Sequence, residues 1–357
     1  MTPTLAEYTT LGLGGPAGTF VDASSEPHLI EAVRAADAVG DPVLLIGGGS
    51  NLVIADDGFP GTVIHVRTRG IDYRPPADAA DDADADTVDV TVAAGEDWDG
   101  VVAAAVAEGL AGLESLSGIP GRAGATPIQN VGAYGREVAE AITRVRVYDR
   151  QEARIRIIPN ERCSFTYRSS LFKSAEDRYV VLDVTFRLTR QELSMPVRYA
   201  ELAAELGVQM GERAGVGEVR SAVLKIRARK GMVLNPGDRD TRSAGSFFTN
   251  PVLATKELAR AEAAAAARAA GRVPRYEAGA GLVKVPAAWL IEHAGFAKGY
   301  GAPGPARVSS KHTLALINAG DATTADLLAL AREIVSGVRA TFGVTLTPEP
   351  ILVGVTL

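Results

Sequence analysis

Cysteine is almost absent from this chain of 357 residues, which contains one, Cys163. A single thiol cannot form an intrachain disulfide or a cysteine-based zinc cluster, so a reducing compartment fits the sequence best. Histidine is also scarce, and the four histidines show no metal-binding spacing. We therefore predict no metal site and no disulfide framework.

Segments that would direct the chain to a membrane or to nucleic acid are also missing. The first residues, MTPTLAEYTTLGLGG, lack a basic stretch followed by an apolar one, and no apolar run is long enough to span a bilayer. The formal net charge of -6 argues against a broad basic face. We expect a cytoplasmic protein of about two domains that binds neither membrane nor nucleic acid.

Several common catalytic signatures do not occur in the sequence. No G-x-G-x-x-G stands between a strand and a helix, and the P-loop, H-E-x-x-H and G-x-S-x-G patterns are missing. These absences argue against a Rossmann NAD site, an ordinary P-loop ATPase, a zinc protease and an α/β-hydrolase.

Hydrophobic periodicity predicts mixed α and β structure along the chain. Residues 26–39 and 325–342 have the pattern of amphipathic helices, and 344–357 alternates like a terminal strand. The polar, turn-rich segment 235–245 is a candidate domain boundary. The Pro-, Ala- and Asp-rich segment 75–87, acidic from 77 to 87, is interpreted as a solvated hairpin tip or disordered loop, with a cation site there as the less favoured alternative.

Three consecutive glycines follow a predicted buried strand. Successive glycine N–H groups can form a nest for an anion such as a phosphate, and short polar side chains add hydrogen bonds. A tight surface turn is the alternative. The candidate cofactor-binding residues of this segment are Gly47, Gly48, Gly49, Ser50, Asn51 and Leu52.

A second segment, 118–135, is rich in glycine but also carries Ile, Val and Tyr at short intervals. That composition favours an ordered loop along a flat, polar cofactor over a flexible linker. The candidate cofactor-binding residues here are Gly118, Ile119, Pro120, Gly124, Ala125, Thr126, Gln129, Asn130, Gly132, Ala133 and Tyr134.

Three further motifs carry candidate catalytic side chains. Arg168 follows Tyr167 in RCSFTYRSSLF, Ser246 precedes two phenylalanines in AGSFFTNP, and Glu349 lies between prolines in TPEP. Taken alone, each has an ordinary alternative: a surface arginine at a strand edge, a turn serine and a solvated glutamate.

Together and in this order, these segments and residues 9–17 resemble the UDP-N-acetylenolpyruvoylglucosamine reductases, the MurB family of peptidoglycan synthesis. The resemblance implies non-covalent FAD, NADPH as hydride donor and reduction of UDP-N-acetylglucosamine enolpyruvate to UDP-N-acetylmuramate. It implies an α+β fold: an FAD-binding domain of the p-cresol methylhydroxylase or vanillyl-alcohol oxidase (PCMH/VAO) type, in two subdomains, with an inserted α+β substrate-binding domain.

The resemblance also implies a division of the chain. The FAD-binding region would cover 1–236, in lobes of about 1–68 and 69–236, completed by a C-terminal strand at 343–357. The substrate-binding domain would cover 237–342. We expect a monomer.

The resemblance assigns roles to the candidate side chains. Arg168 and a protonated Glu349 would stabilise negative charge on the substrate, and Ser246 would donate a proton. The implied substrate-binding residues are Tyr167, Tyr199, Lys230 and Asn250, with Tyr199 typical of the family branch in which a tyrosine closes over the substrate. Two alternatives stay open: another FAD-dependent oxidoreductase of this fold, and an inactive nucleotide-binding relative.

Overall fold

A computed structural model describes residues 2–76, 86–175, 177–279 and 281–357. The strands are β1 Ala17–Ala23, β2 Val43–Ile46, β3 Leu52–Ile54, β4 Phe59–Val66, β5 Ile71–Arg74, β6 Thr87–Ala93, β7 Leu110–Ala111, β8 Gly132–Ala133, β9 Arg136–Glu137, β10 Ile142–Asp149, β11 Arg154–Pro159, β12 Tyr179–Arg190, β13 Val252–Leu253, β14 Tyr276–Glu277, β15 Val283–Lys284, β16 Ala306–Val308, β17 Leu316–Asn318 and β18 Ile351–Val353. The α-helices are α1 Glu26–Val39, α2 Trp98–Ala107, α3 Leu171–Ser174, α4 Ala200–Leu206, α5 Val216–Arg229, α6 Thr255–Ala267, α7 Ala287–His293 and α8 Thr324–Phe342. Short 3₁₀ helices cover Leu5–Tyr8, Glu114–Leu116, Ala123–Ala125, Val138–Glu140, Asn160–Arg162 and Arg239–Thr241.

The chain forms two compact units, each built from separate parts of the sequence. The central unit comprises Gly18–Gly48 and Pro60–Val233. The C-terminal unit comprises Met1–Ala17, Gly49–Phe59 and Leu234–Leu357.

This division differs from the predicted one. Segments 1–17, 49–59 and 343–357, which the prediction gave to the FAD-binding region, group with the C-terminal residues. The cause is pairing over long sequence distances. Strand β3 pairs in parallel with β18, and the buried Asn318 donates from Nδ2 to the Leu11 carbonyl at 3.0 Å.

Helix α1 of the central unit has the bounds that its sequence predicts. Leu29, Val33 and Ala36 recur at helical spacing and are buried. The Ser25 hydroxyl accepts the His28 N–H at 3.4 Å, and Gly40, at φ 68°, ends the helix.

The main sheet of the central unit has the order β11-β10-β12-β6-β5, and all these pairings are antiparallel. Strands β10 and β11 form an antiparallel pair in the register Val145↔Ile158. Helix α2 packs on this sheet, where its buried Trp98 contacts Phe186 at a ring distance of 5.6 Å.

The core of the C-terminal unit includes the apolar face of α8. Leu327, Ala331, Ile334 and Val338 are buried at helical spacing. The Asp56 carboxylate accepts the Thr324 N–H at 2.7 Å, which caps the start of this helix.

The predicted terminal strand at 343–357 is much shorter in the structure, where only Ile351–Val353 is strand. Pro348 and Pro350 lack the N–H that a ladder needs, so the alternating pattern cannot pair along its length. Residues before β18 make one isolated bridge, Phe248↔Pro348.

Residues 77–85 of the acidic segment, and with them the prediction of a hairpin tip or cation site, lie outside the described residues. In the described ranges, no group of three or more His, Cys, Asp or Glu side chains could hold a metal ion. None of the helices described there is both long and apolar enough to cross a membrane.

Candidate active site

The glycine-rich segment 118–135 begins at a charged anchor in the central unit. The Gly118 N–H donates to Asp99 Oδ1 at 2.6 Å, and Arg220 of α5 donates to both oxygens of the same carboxylate at 2.6 and 2.9 Å. Burial alone would raise the pKa of Asp99, but these hydrogen bonds hold it below its ordinary value. Helix α5 and the start of the segment are thereby fixed to each other.

The next residues of the segment make backbone hydrogen bonds to the rest of the central unit. Such bonds are expected of an ordered loop and not of a flexible linker. The N–H groups of Ala123 and Gly124 donate to Glu96 and Ala94, each at 2.9 Å. A Cβ on Gly124 would lie 2.5 Å from the Ala94 Cβ, so only glycine permits this approach. The buried Thr126 hydroxyl bonds to the Ala123 carbonyl at 2.7 Å.

Two of the three glycines after β2, Gly48 and Gly49, lie against other backbone. In the central unit, a Cβ on Gly48 would lie 2.9 Å from the Gly121 Cα. In the C-terminal unit, Gly49 has φ 57°, and its Cβ would lie 1.9 Å from the Tyr8 carbonyl oxygen. Such close approaches leave no room for a side chain, so both positions require glycine.

The other residues predicted for the cofactor vary in exposure. Ile119 and Ala133 are half-buried against the core of the central unit, and Gly118 is buried. Ser50, Asn51, Pro120 and Gln129 are half-buried, Leu52 is buried and Ala125 is exposed.

Arg168 lies in a tight turn of the central unit. Thr166 and Ser169 exchange backbone hydrogen bonds at 3.0 and 3.1 Å, which closes the turn around Tyr167 and Arg168. Arg168 has φ 56°, uncommon for a residue with a side chain. Its Nη2 donates to the Gly132 carbonyl at 2.9 Å, and its guanidinium lies 5.3 Å from the centre of the Tyr167 ring.

Asn130 ties this turn to the glycine-rich segment. The fully buried Asn130 amide donates to Glu137 Oε2 at 2.7 Å and to the Thr166 carbonyl at 3.1 Å, and it accepts the Ala139 N–H at 3.1 Å. A further bond runs from the Ser170 hydroxyl to the Ile128 carbonyl at 2.5 Å. The structure thus brings Asn130, Gly132 and Arg168 together.

Two predicted tyrosines of the central unit also meet. Tyr134 and Tyr199 pack edge to face at 5.4 Å, and Tyr199, which begins α4, is 41% exposed. Burial raises the pKa of Tyr134 to about 12, although Arg227 acts in the opposite direction. Lys230 pairs with Glu201 of α4 at 2.5 Å, so a phosphate would compete with that carboxylate for its ammonium.

In the C-terminal unit, Ser246 and Glu349 lie on adjacent segments. The Glu349 N–H donates to the Phe247 carbonyl at 2.8 Å, and the Thr249 N–H donates to the Thr347 carbonyl at 3.0 Å. Ser246 is half-buried and precedes the buried Phe247, whose N–H donates to the Leu314 carbonyl at 2.7 Å. The arrangement gives one carboxyl and one hydroxyl on neighbouring, hydrogen-bonded segments.

Asn250 has a structural contact that its motif does not predict. Its Oδ1 accepts the Ala287 N–H at 2.9 Å at the start of α7. For a substrate, the amide nitrogen can still donate a hydrogen bond and the second lone pair of Oδ1 can still accept one.

Thr10 is a residue that the sequence reasoning missed. Its hydroxyl donates to the Ser243 carbonyl at 2.6 Å, and its N–H donates to the Gly49 carbonyl at 3.2 Å. It therefore links the glycine motif to the segment that carries Ser246. The only signal in the sequence was its place in the N-terminal motif.

Comparison with known proteins decides the family. A family model described as "UDP-N-acetylenolpyruvoylglucosamine reductase, C-terminal domain" matches residues 236–353, and one described as "FAD binding domain" matches 17–157. The UDP-N-acetylenolpyruvoylglucosamine reductase of Thermobifida fusca is 56% identical over 355 residues, which cover 99% of this chain and 97% of that protein. The chain belongs to the UDP-N-acetylenolpyruvoylglucosamine reductase family.

Other members of the reductase family agree with this assignment. The Streptomyces coelicolor reductase is 54% identical over 356 residues, which cover 99% of this chain and 90% of that protein. The crystal structure of the reductase (MurB) from Thermus caldophilus superposes with a TM-score of 0.65 at 25% identity, covering 99% of this chain and 98% of that one. The predicted family, the mixed α and β fold with an FAD-binding domain, and the oxidoreductase class are confirmed.

Proposed function

We propose that this chain reduces UDP-N-acetylglucosamine enolpyruvate to UDP-N-acetylmuramate with NADPH, in a cytoplasmic step of peptidoglycan precursor synthesis. The chemistry that FAD supplies when bound is hydride transfer from NADPH to the methylene carbon of the substrate. The residues proposed to hold FAD are the candidate cofactor-binding residues named above in segments 47–52 and 118–134, and the close backbone packing of Gly48, Gly49 and Gly124 supports the assignment.

The observation that carries the catalytic proposal is the pairing of residues 247–249 with 347–349. It puts Ser246 beside the segment of Glu349. Hydride addition leaves negative charge on the substrate carboxylate, and a protonated Glu349 would donate a hydrogen bond to that charge. The Ser246 hydroxyl would then deliver a proton to the carbon next to the carboxylate.

Arg168 would bind the same carboxylate through its guanidinium. A residue held at φ 56°, in a turn closed by its own backbone, is oriented before the substrate arrives. Tyr167, Tyr199, Lys230 and Asn250 are proposed to bind the rest of the substrate, Lys230 as a point charge for its diphosphate.

The competing hypothesis is that the chain is an inactive nucleotide-binding relative. Such a protein would be expected to lack one of Ser246, Arg168 and Glu349. The chain retains all three. We propose further that it acts as a monomer, without nucleic acid or membrane, which light scattering on the purified protein would test.

Product analysis separates these functions. FAD-loaded protein incubated with NADPH and UDP-N-acetylglucosamine enolpyruvate should give UDP-N-acetylmuramate, two hydrogens heavier than the substrate by mass spectrometry. Unchanged substrate in the presence of a normal FAD spectrum would support the inactive relative instead.

A further inference from the structure

Arg122 lies in the glycine-rich segment of the central unit, and its side chain covers the first glycine after β2. A Cβ on Gly47 would lie 3.0 Å from Arg122 Cγ and 3.2 Å from Arg122 Cβ. The neighbouring backbone is equally close, since a Cβ on Gly48 would meet the Gly121 Cα at 2.9 Å. The arginine is therefore packed against the part of the chain whose N–H groups can form an anion nest.

The positive charge of Arg122 is weakly neutralised. Its side chain is 22% exposed, and within the described ranges its buried Nε has no hydrogen-bond partner. Its ion pair with Asp97 is long, at 3.8 Å, because Asp97 Oδ1 caps α2 by accepting the Gly100 N–H at 3.0 Å. A guanidinium with only a distant counterion is stabilised by an anionic ligand that it can reach with its end nitrogens.

The charge of Arg122 also acts on a neighbour. The pKa of His65 is lowered, mainly by burial, and the guanidinium of Arg122 adds to this effect while Asp22 opposes it. Arg122 therefore places a positive charge beside the Gly47 backbone, and an anion bound there would pair with it.

We propose that Arg122 binds the diphosphate of FAD together with the N–H groups of Gly47 and Gly48. Guanidinium groups and consecutive backbone N–H groups are the two donor types that suit phosphate oxygens. Both segments lie within the range that the FAD-binding model matches, 17–157. The proposal rests on FAD binding and not on the identity of the substrate.

Flavins that differ in phosphate content test this role. FAD carries a diphosphate and riboflavin carries no phosphate, so both are titrated into the apoprotein and followed by flavin fluorescence. Arg122→Met should weaken FAD binding about 10–100-fold, the usual effect of losing a hydrogen bond to a charged group, while riboflavin affinity changes less than about twofold. Arg122→Lys should restore part of the FAD affinity, and added KCl should weaken FAD binding less steeply in Arg122→Met than in the wild type.

Arg69→Met is the matched control, because Arg69 is a half-exposed arginine paired with Glu96 at 2.9 Å in the same unit. It should leave both affinities unchanged. Equal weakening of FAD and riboflavin in Arg122→Met, or unchanged FAD affinity, would overturn the proposal. Arg122→Gln gives the same comparison if circular dichroism shows that Arg122→Met does not fold. A wild-type protein that binds FAD but does not reduce the substrate would overturn the proposed function and leave this inference standing.

Discussion

Asn130 is the residue whose loss should separate the two halves of the catalytic cycle. Its buried amide makes hydrogen bonds to Glu137, to the Thr166 carbonyl and to the Ala139 N–H. Asn130→Ala removes these three hydrogen bonds and leaves Glu137, the Thr166 carbonyl and the Ala139 N–H without the Asn130 amide. At about 1 kcal/mol for each bond, the expected loss in free energy of unfolding is about 3 kcal/mol.

The effect on catalysis follows from the Thr166 bond. Thr166 closes the turn that holds Arg168 at φ 56°, so loss of its anchor should free the guanidinium from its fixed orientation. Reduction of bound FAD by NADPH should stay near the wild-type rate. Reoxidation by the enolpyruvyl substrate should slow by about 10–100-fold, corresponding to 1.4–2.7 kcal/mol in the barrier. Stopped-flow absorbance of the flavin measures the two steps separately.

Asn130→Asp adds a pH dependence with a defined sign. It places a second carboxyl group beside Glu137, and two neighbouring carboxylates raise the pKa of one of them. A raised pKa in the folded state gives stability at low pH that is lost as the pH rises through that value. The difference in melting temperature from the wild type should therefore shrink as the pH falls from 8 to about 5.

Asn160→Ala is the control, because the Asn160 amide donates to the Ala139 and Ile142 carbonyls, at 2.9 and 2.7 Å, and not to the Thr166 carbonyl. It should lower stability and leave reoxidation unchanged. Equal slowing of reoxidation in Asn130→Ala and Asn160→Ala would show that Asn130 does not act through the Arg168 turn. A wild-type rate of reoxidation in Asn130→Ala with FAD bound would show the same.

Three further predictions follow from the site and the charges. In stopped-flow traces, Ser246→Ala should leave the rate of flavin reduction by NADPH unchanged and slow reoxidation by about 10²–10⁴-fold, the usual contribution of a general acid. Equal small changes in both steps would indicate that Ser246 is only a turn serine. In steady-state kinetics, Lys230→Ala should raise KM more than it lowers kcat. Glu201→Gln, which breaks the same ion pair, should not raise KM. A fall in kcat alone for Lys230→Ala would contradict the assignment of Lys230 to the substrate diphosphate. Hydrogen bonds from Arg178 hold the pKa of Asp149 at about 2. The stability that this ion pair contributes is therefore complete above the ordinary carboxyl pKa and is lost as the pH falls to about 2. Melting temperatures of the wild type and Asp149→Asn should converge as the pH approaches about 2.

Local patterns predicted the elements whose stabilisation is local. Helix α1 starts at a serine cap and ends at a glycine, and both signals are in its own sequence. Strand β6 also carries its signal in its own sequence, since the alternation of its residues coincides with its pairing. The terminal segment alternates as well, but Pro348 and Pro350 interrupt the ladder.

Long-range contacts were beyond local pattern reasoning. Pairing of β3 with β18 joins residues about 300 positions apart, and it moves 49–59 into the C-terminal unit. The Thr10 bond to Ser243 spans 233 positions. Motif resemblance named Arg168 and Lys230, but it could not show the turn that holds Arg168 or the Glu201 carboxylate that pairs with Lys230.

Isotope labelling in a single turnover tests whether Ser246 delivers a proton to the carbon next to the substrate carboxylate. FAD-loaded protein, protiated NADPH and UDP-N-acetylglucosamine enolpyruvate are mixed in D₂O, and the product is examined by NMR. We predict UDP-N-acetylmuramate with one deuterium on the carbon next to the carboxylate, formed at least about 100-fold more slowly by Ser246→Ala. Absence of deuterium from the carbon next to the carboxylate, or formation of the product by Ser246→Ala at the wild-type rate, would contradict proton donation by Ser246.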